Sequence, residues 1–292
     1  YLYAASKPDT LYTNPGVEAS IRNRCISIDD QGYIVVQDLH LTKAKYDDIL
    51  IADSILERNF QIKRILAENS YMANILTMSG SVTISNCEAR YSVSEHGIYL
   101  AQSTLPSIIE YCHLHHNKQQ GIQINPEDGI TGKGSGHIVR YNIVHDNGQS
   151  GLGIHATSDS QFYYNVVYDN VRGGVSFYDY SAGDGFGCEN NFIYNNFIRV
   201  PVTTDSNAAG ISVRNYSKGN TYKNNIIWVN DLETPNFRID NTSTSSVIDY
   251  NLSYRANGGT NIAYYFGANK TWADWQELGF DANGVNANPL FI

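Results

Sequence analysis

Hydrophobic and polar residues alternate along many short segments of this chain, and each segment ends at a polar bend. Residues 137–158 show the pattern well, because HIVRYN, IVH and GLGIHATS follow one another with a bend after each. Alternation with a period of two residues predicts β-strands with one buried face. Such short strands cannot bury a core alone, so the pattern predicts a stack of similar coils.

Asparagine marks the bends and shows how the coils repeat. Five segments end at an Asn and carry a polar residue five positions earlier; they end at Asn117, Asn147, Asn170, Asn196 and Asn230. The earlier position extends into a column of nine residues about 27 apart: Asp38, Arg64, Asn86, Cys112, Asn142, Asn165, Asn191, Asn225 and Asn251. A period in this range indicates stacked repeats.

The chemistry of asparagine explains why it suits these bends. Its amide both donates and accepts hydrogen bonds, so Asn residues stacked about 4.8 Å apart can form a ladder. Asn also tolerates the left-handed backbone of a sharp turn. The sequence therefore predicts an all-β, single-stranded parallel solenoid of about nine to eleven coils with an Asn ladder.

The repeat resembles the pectate-lyase-like superfamily of right-handed parallel β-helix proteins from about Ile34 to Asn251. The closing stretch TWADWQELGFDANGVNANPLF is similar to the tail after the last coil in many of them. We expect one domain over residues 1–292, with leading strands in 1–30, coils in 31–256 and a capping tail in 257–292. The resemblance implies a secreted, periplasmic or cell-surface carbohydrate-active protein, similar to alginate lyases and epimerases or to pectate lyases.

The net charge of −9 and the pI near 5.3 disfavour binding to nucleic acid or to anionic membranes. They also disfavour a polyanionic substrate, unless a local basic patch or a bound cation reverses the field. No run of 18 apolar residues occurs, so no membrane insertion is expected. Cys25, Cys87, Cys112 and Cys188 match no zinc-binding spacing, and we expect buried free thiols, with a Cys87–Cys112 disulfide as the alternative.

Two stripes on the outward faces are predicted to be structural. Two positions before the first bend lies a column formed by Glu110, Arg140, Tyr163, Glu189, Lys223 and Asp249. Opposite charges meet there on neighbouring coils, at Glu110–Arg140 and along Glu189–Lys223–Asp249. Three positions after it, a stripe of rings is expected, formed by His115, His145, Tyr168, Tyr194, Trp228 and Tyr254. Ring stacking along a solenoid wall is the simpler interpretation, and a platform for sugar rings is the alternative. His115 and His145 have metal-ligand character, but no third ligand is evident.

The third strand of each coil is the candidate site, because three long loops at 125–137, 178–187 and 197–210 border it. A Gly opens this strand in several coils. Residues two and four positions after the Gly point outward and form two columns. The first contains Tyr99, Gln123, Gly153, Ser176 and Ser212, and the second contains Asn125, His155, Tyr178 and Arg214, with Asp240 expected next. Four coils span roughly 14 Å, enough for a few sugar units.

The second column suits β-elimination or epimerisation of a uronate. Arg214 or Asn125 would neutralise the substrate carboxylate, His155 would take the proton, and Tyr178 would act as the acid. A group of His, Tyr, Asn and Arg is similar to the sites of several alginate-active lyases and epimerases. Tyr99, Gln123, Ser176, Ser212 and Lys133 are predicted to bind the substrate. A calcium ion held by Glu127, Asp128, Asp179 and Asp184 is a looser match to a pectate-lyase site.

Three functions remain open from the sequence. The favoured one is a polysaccharide lyase or C5-epimerase that acts on a uronate-containing polysaccharide. A glycoside hydrolase would need two carboxylates about 5–9.5 Å apart, and the outward columns offer few acids. A non-catalytic carbohydrate-binding or cell-surface module is the third.

Overall fold

The computed structural model describes residues 22–52, 59–78, 81–126, 133–178 and 187–290. Short strands dominate it. Those up to residue 125 are β1 Ile26–Asp29, β2 Val35–Thr42, β3 Ile49–Ala52, β4 Asn59–Glu68, β5 Ile75–Met78, β6 Ser81–Ser85, β7 Glu88–Arg90, β8 Ile98–Ala101, β9 Ile108–Glu110, β10 His113–His115 and β11 Ile122–Asn125. Those up to residue 213 are β12 Gly134–Ser135, β13 Ile138–Arg140, β14 Ile143–His145, β15 Ser150–His155, β16 Thr157–Ser158, β17 Gln161–Tyr163, β18 Val166–Tyr168, β19 Gly173–Tyr178, β20 Phe192–Tyr194, β21 Phe197–Val200 and β22 Ala209–Val213. The rest are β23 Thr221–Lys223, β24 Ile226–Val229, β25 Phe237–Ile239, β26 Val247–Asp249, β27 Leu252–Arg255, β28 Asn261–Tyr265, β29 Ala268–Thr271, the helix α1 Trp272–Glu277 and β30 Val285–Asn286.

The strands form two long walls around one apolar core. Wall A contains β1, β3, β5, β8, β11, β15, β19, β22, β25 and β28 in parallel, with β29 antiparallel at its end. Wall B contains two parallel ranks. Strands β6, β9, β13, β17, β20, β23 and β26 form one rank, and β7, β10, β14, β18, β21, β24 and β27 form the other, while the long β2 and β4 run through both. The inward side chains of both walls fill a single core.

The predicted all-β parallel solenoid with almost no helix is confirmed, and it has about eight turns. The expected number of nine to eleven coils was slightly too high. The Asn ladder is present as well. The side-chain amides of Asn142, Asn165, Asn196, Asn225 and Asn251 each donate to the carboxamide or carboxylate of the next coil at 2.8–3.0 Å, and the row ends at Asp281.

The register of the ladder differs from the prediction at the coil of Asn191 and, by one residue, in the early coils. Asn196 stacks on Asn165, whereas Asn191 lies at another bend and bonds Asn220. The segment NNFIYNN carries an Asn at both places, so spacing alone could not decide between them. As a result Tyr194 stacks on Tyr163 rather than joining the ring stripe, where Arg199 takes its place.

The left-handed backbone of each bend lies at the residue before the ladder Asn, whereas we expected it at the Asn itself. The residue before each ladder Asn has a positive φ, as in Tyr141 at 56° and Tyr164 at 54°. In the early coils the predicted column had selected these bend residues, since Asp38, Arg64 and Asn86 have φ of 59°, 54° and 54°. Cys87 and Cys112 occupy the ladder position there, and both thiols are free.

The tail closes one end of the stack. Trp275 of α1 is fully buried, stacks on Phe237 and donates to the carboxylate of Asp281 at 3.1 Å. Burial raises the pKa of this carboxyl, and its hydrogen bonds to Asn251 and Trp275 oppose that shift. Among the described residues no helix is long and apolar enough to cross a lipid bilayer.

Candidate functional site

The outward side chains of wall A, between β8 and β28, form a polar face. Its members, called the polar face below, are Tyr99, Gln123, Asn125, His155, Ser176, Tyr178, Ser212, Arg214 and Arg238. Their neighbours along each strand, such as Ile124, Ile154 and Phe177, point into the core and are fully buried. The strand pairing aligns His155 with Tyr178, and Phe177 with Val213, which places Arg214 next to Tyr178.

His155 and Tyr178 are in direct contact at the centre of this face. Their ring centroids are 3.6 Å apart with the planes nearly perpendicular. His155 is completely buried, so Tyr178 lies between it and the solvent side. Burial lowers the pKa of His155 to about 3, and the charge of Arg214 adds to the effect. His155 is therefore neutral near pH 7, and in this buried state it is a weaker base than a free histidine.

Two glutamines hold the hydroxyl of Tyr178. The Gln120 amide donates to it at 3.1 Å, and the hydroxyl donates to Gln123 Oε1 at 3.5 Å. Both side chains cross the coil that contains Gly153. A Cβ on Gly153 would lie 2.3 Å from Gln123 Oε1 and 2.9 Å from Gln120 Cγ. Glycine is required here because only a residue without a side chain leaves room for these amides.

Asn125 and Tyr99 extend the face towards the earlier coils. Asn125 donates to the Tyr99 hydroxyl at 3.4 Å, and the Tyr99 ring packs edge-on against His96 at 4.9 Å. His96 accepts from the backbone N–H of Gln120 through Nδ1, so its proton sits on Nε2. Burial lowers the pKa of His96 to about 3. This end of the face therefore offers neutral hydrogen-bonding groups.

The later coils are cationic. The guanidinium of Arg214 lies 5.7 Å from the Tyr178 ring centroid, and that of Arg238 lies 4.7 Å from the Tyr264 ring. Arg172 pairs with Asp205 at 2.9 Å. Burial lowers the pKa of Arg214, and the nearby charge of Arg172 lowers it further. Burial also lowers the pKa of Arg238, and the charge of Arg214 lowers it by a smaller amount. A protein of net charge −9 thus concentrates three arginines at one place.

Several buried polar atoms on this face have no hydrogen-bond partner among the described residues. They are Gln123 Nε2, Ser176 Oγ, Ser212 Oγ, Arg214 Nε and Arg238 Nε. An unsatisfied buried polar group costs about 1–3 kcal/mol, and more when it is charged. The row follows wall A along the stacking direction, as an extended ligand with many hydroxyl and carboxylate groups would require.

The acids of this region are already engaged. Asp205 pairs with Arg172, and its pKa is lowered despite the opposing effect of burial. Asp240 accepts from the backbone N–H groups of Asn215 and Thr242. A general acid of a hydrolase needs a raised pKa. Asp205, with its lowered pKa and its ion pair to Arg172, therefore does not suit the role of general acid in a hydrolase.

Some predicted site residues lie elsewhere or outside the described residues. Lys133 lies outside the strands of wall A and forms an ion pair with Glu189 at 2.7 Å. Glu127, Asp128, Asp179 and Asp184 fall in 127–132 and 179–186, which the structure does not describe. The sequence interpretation missed His96, Gln120, Arg172 and Arg238. Arg238 could have been found, because it extends the column of Ser176 and Ser212 by one coil.

Comparison with known proteins agrees with this architecture. Residues 18–135 match the family model described as a right handed beta helix region. The chain has the fold of a right-handed parallel β-helix. The curated proteins include no sequence that matches this β-helix.

Solved structures share the fold of this β-helix at low sequence identity. A periplasmic alginate epimerase superposes with a TM-score of 0.53 at 13% identity, over 82% of this chain and 58% of that one. The A-module of a mannuronan C-5 epimerase from Azotobacter vinelandii gives 0.58 at 13%, over 91% and 77%. A DFA-IIIase from Arthrobacter chlorophenolicus A6, in complex with GF2, gives 0.51 at 12%, over 78% and 54%. The β-helix spans less than two thirds of the first and third of these chains, and at such identity the likeness shows the fold alone.

Proposed function

We propose that this β-helix is a secreted or periplasmic carbohydrate-active enzyme that removes the C5 proton of a uronate residue, as a polysaccharide lyase or a C5-epimerase. One observation carries the proposal. Arg214 is largely buried on the polar face, keeps Nε without a partner and lies beside Arg172 and Arg238. Among the described residues Arg214 forms no direct ion pair, and Asp240 and Asp205 act on it only from a distance. A substrate carboxylate could pair with it directly and relieve the cost of its desolvation. The epimerases with the same fold act on uronate polymers, which supports this substrate class.

The first chemical step is the same for both activities. A base takes the proton from C5, and the electron pair moves into the carboxylate, where the arginines stabilise the added negative charge. In a lyase the C4–O4 bond then breaks, O4 is protonated and a C4–C5 double bond remains. In an epimerase a proton returns to C5 from the opposite face, and no bond of the chain is cut.

Proton transfer belongs to the contacting pair of His155 and Tyr178. The substrate meets the Tyr178 hydroxyl first, because His155 is buried beneath that ring. Gln120 and Gln123 fix the hydroxyl in position. His155 takes the predicted role of base when the Tyr178 side chain turns aside. Otherwise Tyr178 transfers the proton itself and His155 acts as a positioning residue.

The test is to incubate the protein with alginate, polymannuronate and pectate in D₂O. A lyase produces unsaturated ends that absorb in the near ultraviolet, and an epimerase incorporates deuterium at C5 without cutting the chain. We expect one of these signals, reduced about 10²–10⁴-fold by Tyr178→Phe. Tyr168→Phe on wall B is the matched control and should retain full activity. His155→Gln measured against Tyr178→Phe over a range of pH assigns the base.

The remaining outcomes decide between the other functions. New reducing ends from neutral glycans, without unsaturation or exchange, would replace the proposal with a glycoside hydrolase. If no assay gives a signal but the protein still binds glycans, the proposed enzyme would be replaced by a carbohydrate-binding module. Calcium is varied in the same assays, because the loop acids Glu127, Asp128, Asp179 and Asp184 remain candidate ligands.

A further inference from the structure

A cluster of histidines and acids lies on the outward face of wall B, away from the polar face. Strand β10 presents His113 and His115 on either side of the buried Leu114, and β14 presents His145 on the next coil. The rings of His115 and His145 are stacked with centroids 5.0 Å apart. Glu88 lies on the preceding coil in register with His113, and His116 and Asp146 occupy the adjacent bends.

The nitrogens of this cluster point towards one another. His113 Nε2 and His145 Nε2 are 2.7 Å apart, and His115 Nε2 is 3.2 Å from Glu88 Oε1. Ligand atoms of Glu88, His113 and His115 all lie within 4.8 Å of one another. Two metal-bound donors in a tetrahedral site are about 3.3 Å apart, as metal–nitrogen bonds of 2.0–2.1 Å require. The cluster reaches that spacing with small side-chain movements.

Outer partners orient two of these rings. His145 Nδ1 lies 2.7 Å from Asp146 Oδ2, which leaves Nε2 directed into the cluster. His115 Nδ1 lies 2.8 Å from His116 Nδ1, which leaves its Nε2 directed towards Glu88. A histidine that binds a metal through one nitrogen usually has its other nitrogen held by a carboxylate or another polar group.

We propose that Glu88, His113, His115 and His145 form a binding site for one borderline transition-metal ion of the Zn²⁺ class. Three imidazole nitrogens and one carboxylate are donors that suit Zn²⁺, Ni²⁺ or Cu²⁺, whereas Ca²⁺ prefers oxygen ligands only. Arg90 donates to Glu88 Oε1 at 2.6 Å, so the ion competes with this guanidinium for the carboxylate. Because the donors come from β7, β10 and β14, the ion would cross-link three successive coils.

The test measures metal binding on protein prepared without a polyhistidine tag. Titration with ZnCl₂ alone, followed by calorimetry and by elemental analysis after dialysis, should give one ion per chain, and CaCl₂ should give none at this site. Co²⁺ in place of Zn²⁺ should produce the visible absorption of a tetrahedral site. Because the ion binds only the folded chain, the melting temperature should rise with Zn²⁺.

Variants locate the site. His113→Gln combined with His145→Gln should abolish the stoichiometric ion, and Asp146→Asn should weaken binding about 10–100-fold through loss of the outer partner. His40→Gln, which removes an exposed histidine outside the cluster, is the matched control. Binding that survives the double replacement, or that is equally lost in the control, would overturn the proposal. If a variant fails to fold by circular dichroism, the Co²⁺ spectrum of Glu88→Gln decides, since an unchanged spectrum would also overturn it.

Discussion

The outward faces of the two walls follow opposite rules. On wall B, apolar side chains such as Ile143, Phe192 and Val247 are exposed to between 44% and 48%. On wall A, polar side chains such as Gln123, His155 and Ser212 are no more than 3% exposed. Both walls use the same strand pairing and share one core, so the backbone does not cause this inversion. Outside its histidine cluster, wall B shows the outward face of a solenoid whose side chains mainly stack on one another. Wall A instead buries polar groups without partners, which lowers the stability of the fold.

Replacing Arg214 by Ala should produce the largest effect on this comparison. We expect activity on a uronate polymer to fall about 10²–10³-fold, because a preorganised group that stabilises developing charge contributes that much. Stability in urea should be unchanged or slightly higher, since the variant removes a buried charge without a partner for Nε. Arg199→Ala on wall B, which removes an ion pair with Asp169, should leave activity intact. Equal activity loss in both variants would remove the distinction between the walls.

The second prediction concerns the ladder of wall B. Asn165 receives hydrogen bonds from the backbone N–H and side-chain amide of Asn142, and donates to Val139 O and Asn196 Oδ1. Asn165→Ala leaves these buried groups unsatisfied, so we expect a loss of about 3 kcal/mol in the free energy of unfolding, at 1–3 kcal/mol for each group that finds no new partner. Denaturant titration measures this, with Asn257→Ala in an exposed turn as the control. A loss below that of the control would mean that the ladder does not stabilise the stack.

The smallest effect is a pH dependence that originates on wall A. The pKa of His155 is about 3 in the folded chain because of burial and of Arg214, against about 6.5 when unfolded. Below pH 6.5 the unfolded chain therefore binds a proton that the folded chain excludes, and stability falls as the pH falls towards 3. Between pH 6.5 and 5 this amounts to about 2 kcal/mol.

His155→Gln should flatten the dependence of the unfolding free energy on pH in this range. His113→Gln on wall B should change the slope less. His113 is only partly buried, so the desolvation that lowers its pKa is weaker than at the fully buried His155. Denaturation curves at several pH values compare the two variants directly. A slope unaffected by the loss of His155 would contradict the assigned burial.

Much of the fold could be predicted because it depends on local and repeated chemistry. Alternation and Asn spacing were sufficient for the solenoid and its ladder. Where two Asn residues were equally suitable, as at Asn191 and Asn196, only packing decided between them. A glycine shows how packing acts: a Cβ on Gly121 would lie 2.3 Å from Val144 Cγ1 and 3.0 Å from Asn147 Nδ2 on the next coil.

The site was less accessible to sequence reasoning. Alternation places Asn125, His155, Tyr178 and Arg214 on one face, and the strand pairing has them there. Sequence could not show that His155 lies beneath Tyr178, because that depends on which rotamer fills the space over Gly153 and its neighbours. Gln120 reaches across a whole coil to Tyr178, a contact 58 residues apart that no spacing rule contains. The catalytic roles themselves remain predictions.

The antiparallel strand β29 has a consequence for assembly. In a parallel solenoid the last strand normally exposes a row of unpaired backbone groups that another chain can join. Here β29 turns back and pairs with β28 along that row, while β30 pairs with β27 on wall B and Asp281 accepts the final amide of the ladder. A further parallel coil therefore cannot pair with β28, and the edge of this sheet that remains is that of the antiparallel β29. Removing β29 and the segment after it would convert a terminated stack into a template for end-to-end fibres.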